Sequence, residues 1–164
     1  MADTLSGAGA PGGAIEGRQA WLQALREGLF DPGAGFSMYS DGFDGWPLGE
    51  PEVVRALREW ALPRRRGCAR MLARSYAGLM REAPRFVQWR LDFGHVIECR
   101  ELPPDIAAPS EGLWLRERGV LALPAQRERR AVHVQQAAWQ ASLQAFEQAW
   151  DLAEPGFVPV ALGL

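Results

Sequence analysis

An α/β domain with a mostly parallel central sheet, helices on both faces and a terminal β-hairpin is the fold this sequence predicts. Three observations lead there. Short apolar runs of strand length alternate with longer segments in which apolar residues recur every three to four positions, the pattern of crossover helices over a parallel sheet. Near residue 117 two apolar runs follow one another with only a turn between them, which is hairpin spacing. The chain has 164 residues, 48% hydrophobic and 23% charged, the size and mixture of one globular core.

Residues 1–13 are rich in Gly, Ala, Ser and Pro and read as a flexible leader, without the arginine-rich start or apolar core of a targeting peptide. Residues 14–164 form the single domain. A helical pattern begins at Ala14, carried by Trp21, Leu22, Leu25 and Leu29 and closed by Gly28 and Pro32. A strand over 36–40 leads into the turn Asp41-Gly42-Phe43-Asp44-Gly45-Trp46-Pro47. A helix with Pro51 in its first turn follows, with Val53, Val54, Leu57 and Trp60 on its buried face. After the exposed Arg64-Arg65-Arg66-Gly67 turn come a strand over 68–74, one helix over 77–93, and a strand over 96–102 ended by Pro103-Pro104. Strands over 113–116 and 120–123 make the hairpin about Glu117-Arg118-Gly119. An extended stretch over 131–134 precedes a last helix over 136–153, whose Trp139, Leu143, Phe146 and Trp150 face the sheet. Trp89 and Trp114 are the tryptophans whose spacing lets them reach a surface. The apolar tail over 157–164 is expected to dock on its own domain or on a partner.

Composition removes several functions. All 18 basic residues are arginine, so Schiff-base chemistry, a Walker-type phosphate loop and any lysine-dependent phosphoryl site are excluded. A net charge of -2 argues against strong sequence-independent binding to nucleic acid or to an anionic membrane. Cys68 and Cys99 have no C-x-x-C spacing and read as free buried thiols of a cytoplasmic protein. Charged residues interrupt every apolar run before bilayer length. His95 and His133 lack the spacing of a metal site, so no metal and no cofactor is expected.

Four stretches, in this order, carry a resemblance: Ser37-Met38-Tyr39-Ser40-Asp41-Gly42-Phe43-Asp44-Gly45-Trp46-Pro47-Leu48, Ala83-Pro84-Arg85-Phe86, Gly94-His95-Val96-Ile97-Glu98-Cys99-Arg100-Glu101-Leu102-Pro103 and Phe146-Glu147-Gln148-Ala149-Trp150. Together they resemble half of a phospholipase D superfamily enzyme, and more closely an uncharacterised bacterial family of domains of unknown function related to it. The resemblance implies a phospholipase D-like sandwich. Active members carry H-x-K-x-x-x-x-D and then a glycine, the histidine attacking phosphorus and the lysine holding phosphate. With Gly119 on that glycine, Glu111 stands at the histidine, Leu113 at the lysine and Arg118 at the aspartate. A carboxylate there repels a phosphodiester and a leucine cannot clamp one, so the resemblance implies a pseudoenzyme with no catalytic residues. Single-half members pair two copies, which implies a homodimer. Domains of this kind also occur joined to an acetyltransferase-like domain, which implies an accessory role.

The candidate ligand-binding residues are Asp41, Asp44, Glu111, Arg118 and His133. Asp41 and Asp44 follow the carboxyl end of the first strand, where open α/β sheets place ligands, though Asp-Gly turns also use aspartates for capping alone. His133 is included because its stretch borders the cleft in the superfamily. Arg64, Arg65 and Arg66, and separately Arg127, Arg129 and Arg130, are the candidate phosphate-binding residues; such runs are also ordinary solvated loops. Three functions are compatible with these residues. The favoured one is a non-catalytic, dimeric ligand-binding or protein-interaction module. The others are a nucleic-acid or phosphate binder using the arginines, and an enzyme with replaced machinery around Glu111, Asp41, Asp44 and His133.

Overall fold

The computed structural model describes residues 13–124 and 130–157. Its strands are β1 (Ala14–Glu16), β2 (Phe36–Tyr39), β3 (Ala69–Ala73), β4 (Ile97–Glu101), β5 (Gly112–Trp114), β6 (Arg118–Ala122), β7 (Arg130–Gln135) and β8 (Glu154–Pro155). Its helices are α1 (Arg18–Phe30), α2 (Pro51–Ala61), α3 (Ala77–Glu82), α4 (Pro84–Asp92) and α5 (Gln136–Asp151). The strands join in one sheet of order β1-β7-β6-β5-β2-β3-β4-β8.

The sheet is mostly antiparallel, which corrects the parallel expectation. Only β2–β3 and β3–β4 pair in parallel, while β1–β7, β2–β5, β4–β8, β5–β6 and β6–β7 run antiparallel. Connection length is the reason. Helix α2, then α3 with α4, provide the crossovers that a parallel pair needs, whereas the short β5–β6 link can make only a hairpin. Two short edge strands add the rest: Ala14 and Ile15, expected to open the first helix, form β1, and the glycine at position 17 (φ 85°) separates them from α1.

Helices do cover both faces. Helices α1 to α4 bury Leu25, Leu57, Leu79 and Phe86 against Met38, Met71 and Leu113 on one face. On the other, α5 lays Phe146 and Trp150 over Tyr39, Leu72, Trp114 and Leu121. Strand β2, at the seam between the parallel and antiparallel halves, is buried along its whole length, as a central strand covered on both sides must be. Trp89 and Trp114 do not reach the surface: they are 0% and 1% exposed, because α4 turns Trp89 into the helical core and α5 closes over Trp114.

Three local differences have simple causes. The helix expected over 77–93 is two helices, since Pro84 disfavours helical backbone at Ala83 (φ -128°, ψ 63°) and starts α4 anew. Gly28 does not end α1 but lies inside it, where a Cβ would come 2.6 Å from Leu113 Cδ2, so glycine lets the helix approach the sheet. The hairpin turns at Arg116 and Glu117, with the Leu115 N–H donating to the Arg118 carbonyl at 2.8 Å; Gly119 is already paired with Trp114 inside the ladder. The leader up to residue 12 and the tail from residue 158 lie outside the described residues. Phe157 itself stacks on Tyr76 at 4.9 Å between centroids and packs on the helical core.

Candidate functional site

Because β5 runs antiparallel to β2, the residue before β5 lies beside the residues that follow β2. Glu111 is therefore brought to Ser40 and Asp41 at the carboxyl end of the central strand. Its Oε2 accepts hydrogen bonds from Ser40 Oγ and Trp46 Nε1, both at 2.8 Å. Ser40 Oγ also accepts the Phe43 backbone N–H at 2.9 Å, which fixes the turn in which Phe43 adopts a φ of 61°. The turn residues thus do two things: they reverse the chain, and they bring an indole N–H and a hydroxyl onto one carboxylate oxygen.

Asp41 stands next to this knot and faces outward, with its side chain 80% exposed. The Tyr39 hydroxyl donates to its Oδ1, and Arg74 Nε lies 3.9 Å from the same oxygen. Burial, and then the Asp41 carboxylate, push the Tyr39 phenol well above its ordinary range, so it stays a proton donor. The Asp41 carbonyl accepts the N–H groups of Arg74 and Ser75 at 3.0 and 3.1 Å, tying the ends of β2 and β3 together. Arg74 is itself held, donating to the carbonyls of Pro103 at 2.6 Å and Ile106 at 2.9 Å. Its guanidinium serves the 103–106 loop more than it serves the corner.

Of the residues singled out from sequence, Asp41 and Glu111 come together. Asp44 lies on the same turn and is exposed, with its Oδ1 3.4 Å from where a Cβ on Gly78 would be. Arg118 is at the far end of the hairpin, opposite Leu115; four residues of strand at about 3.3 Å each put it roughly 13 Å from Glu111. His133 is on β7, paired with Val120. It is three strands from β2, about 14 Å at the usual strand spacing. The corner that joins Asp41 to Glu111 therefore excludes both Arg118 and His133.

The arginine clusters divide similarly. Arg64 is engaged by its own turn: it donates to the Gly33 carbonyl at 2.6 Å and the Trp60 carbonyl at 3.1 Å, and stacks 4.8 Å over the Trp60 ring. Arg65, Arg66 and Arg130 are exposed, and Arg127 and Arg129 lie outside the described residues. Both cysteines are free, Cys99 buried and Cys68 half-buried, and burial pushes the Cys99 thiol up to about 12. Among the described residues no group of three metal-ligating side chains gathers, and no helix is long and apolar enough to cross a membrane.

Sequence reasoning missed Ser40, Tyr39, Trp46 and Arg74 as members of the corner. A signal existed for two of them: Ser40 follows β2, and Arg74 follows β3, its parallel neighbour, so both fall on the carboxyl edge where ligands sit in such sheets. For the Trp46 indole there was none, because its bond to Glu111 spans 65 residues and follows only from the β2–β5 pairing.

The family model for Domain of unknown function (DUF7931) matches residues 34–157. No curated protein matches the sequence. Among solved structures, TrmBL2, an archaeal chromatin protein whose structure shows a novel mode of DNA binding, superposes with a TM-score of 0.66 at 16% identity over 94% of this chain; the chain spans 58% of that protein. Nuc from Salmonella typhimurium, a phospholipase D family member, gives 0.52 at 11% identity, covering 88% of this chain and 97% of Nuc. NucT from Helicobacter pylori gives 0.56 at 8% identity, covering 84% and 92%. At such identities the likeness is one of fold: a phospholipase D-like α/β fold.

Proposed function

We propose, for a chain that belongs to the DUF7931 family and has a phospholipase D-like fold, that it is a non-hydrolytic binding module whose carboxyl-edge corner receives a ligand or partner without cleaving it. The observation that supports this most is Glu111. It stands where the resemblance puts the attacking histidine, and its Oε2 is occupied by Ser40 and Trp46. A carboxylate held there repels a phosphodiester. No lysine exists to offset it, and Arg74 is already committed to two carbonyls. What the corner offers outward, through Asp41 and Asp44, is negative charge, which favours a partner carrying a cationic group. The two free thiols suit a reducing cytoplasm, and pairing of two copies, as in single-half relatives of this fold, is the oligomeric state proposed.

Nucleic-acid binding is the second reading, favoured by the likeness to TrmBL2. It is weakened by the net charge of -2 and by the engagement of Arg64. Calorimetric titration with dithymidine monophosphate, a minimal phosphodiester, tests the first reading: no saturable heat is expected, and micromolar binding would overturn it. Affinity for duplex DNA that falls steeply with salt and is reduced by Arg65→Gln would favour the second. Sedimentation equilibrium decides the dimer, a single monomeric species at high micromolar concentration being the contrary result.

A further inference from the structure

On the helical face, near the β4–β8 edge of the sheet, Arg90 of α4 is only 6% exposed, yet its Nε and Nη1 have no hydrogen-bond partner among the described residues. Its guanidinium lies 5.8 Å over the Phe157 ring and beside the Cys99 thiol, which burial keeps protonated, so neither gives it a counter-charge. It also lines a cavity of about 530 Å³, together with Arg66, His95, Cys99 and Gly156. Glu98, which also lines the cavity, is taken by Arg100 at 2.7 Å. A buried guanidinium without an anion is an unstable arrangement, and proteins complete it with a partner.

We infer that this cavity is a binding site for the phosphoryl group of a small molecule, with Arg90 as the inner cation, Arg66 as the outer one and His95 at the mouth. Two arginines match a dianionic phosphoryl group better than a single carboxylate, and the guanidinium fork suits its oxygens. The volume lies within the range of small-molecule sites, which leaves room for the rest of a phosphomonoester beside the phosphoryl group. Chain topology supports the convergence: Arg66 precedes β3 and His95 precedes β4, adjacent parallel strands, so both sit at the same end of the sheet. The site is separate from the Glu111 corner, which lies at the opposite, carboxyl end of the parallel strands.

The test is calorimetric titration of the full chain, at constant ionic strength, with glycerol 1-phosphate, inorganic phosphate and acetate. Saturable binding of the first two and none of acetate is expected; the tighter of the two tells a phosphomonoester from free phosphate as the source. Arg66→Gln, an exposed change, should weaken binding about tenfold, the loss of one charged contact. Arg90→Met should abolish binding while leaving Tm unchanged or raised, since it removes an unpartnered charge. The inference is overturned if neither phosphate compound binds, if acetate binds as tightly, if both variants bind like the wild type, or if Arg90→Met lowers Tm sharply while the wild type ignores phosphate.

Discussion

The Glu111 corner and the Arg90 cavity each place a charged side chain beside an apolar core, and they are completed in opposite ways. At the corner, Ser40, Trp46 and Glu111 satisfy one another, and Tyr39 and Arg74 turn toward Asp41. At the cavity, two guanidinium nitrogens have no protein partner among the described residues. A closed hydrogen-bond knot fixes backbone; an open one leaves binding energy for something else. The difference separates a corner whose inner layer is structural, with only Asp41 and Asp44 left facing outward, from a cavity whose inner charge is itself free to act.

Substitutions sharpen that contrast. The largest effect is expected from Gly112→Ala, because a Cβ there would stand 2.7 Å from the Val120 carbonyl oxygen and prise β5, which carries Glu111, from β6. A loss of about 3 kcal/mol, measured by urea denaturation, is expected for such overpacking. Glu111→Ala strands the Trp46 indole N–H and the Ser40 hydroxyl and should cost about 2 kcal/mol, whereas Glu111→Gln, which keeps an acceptor, should cost less than half of that. Equal losses for the two would mean that the knot does not hold the turn.

Alkaline pH should loosen the core on both faces of the sheet as well. Tyr39, Tyr76 and Cys99 all have pKa values raised chiefly by burial. Each is harder to ionise folded than unfolded, so the stability linked to it is complete below its ordinary value and falls as pH rises above it. The fall begins near 9.0 for the thiol, continuing to about 12, and near 10.0 for the phenols. The urea midpoint should therefore decline from pH 9 to 11, and less steeply in Tyr39→Phe; a flat profile would contradict the burial of these groups. The smallest effect belongs to Asp41→Asn: with the side chain 80% exposed, stability should change by less than about 0.5 kcal/mol. A larger loss would make Asp41 part of the knot.

These two regions were unequally legible in the sequence. The parallel half could be read because Val53, Val54, Leu57 and Trp60, and later Phe86 and Trp89, repeat at helical spacing between short apolar strands. The antiparallel half was visible only in part. The three residues of β1 and the two of β8 are too short for any period and owe their strand state to the neighbours they pair with. The break at Pro84 was local chemistry and could have been read from the residue alone. Asp41 and Glu111 were identifiable separately, one from its place after a strand and the other from the family pattern. Their meeting depended on the β2–β5 register, a long-range fact. The helical period that runs through Phe86 and Arg90 put Arg90 on the buried face of its helix; its cover by the Phe157 ring, distant along the chain, is what the spacing did not show.

The proposed non-hydrolytic role depends on Glu111 standing where the resemblance puts the attacking histidine. The most direct measurement is hydrolysis of bis(4-nitrophenyl) phosphate by the wild-type chain and by Glu111→Gln, across pH 5 to 9. The expected result is release of 4-nitrophenol at the buffer rate by both; turnover by the wild type that disappears in Glu111→Gln would contradict it.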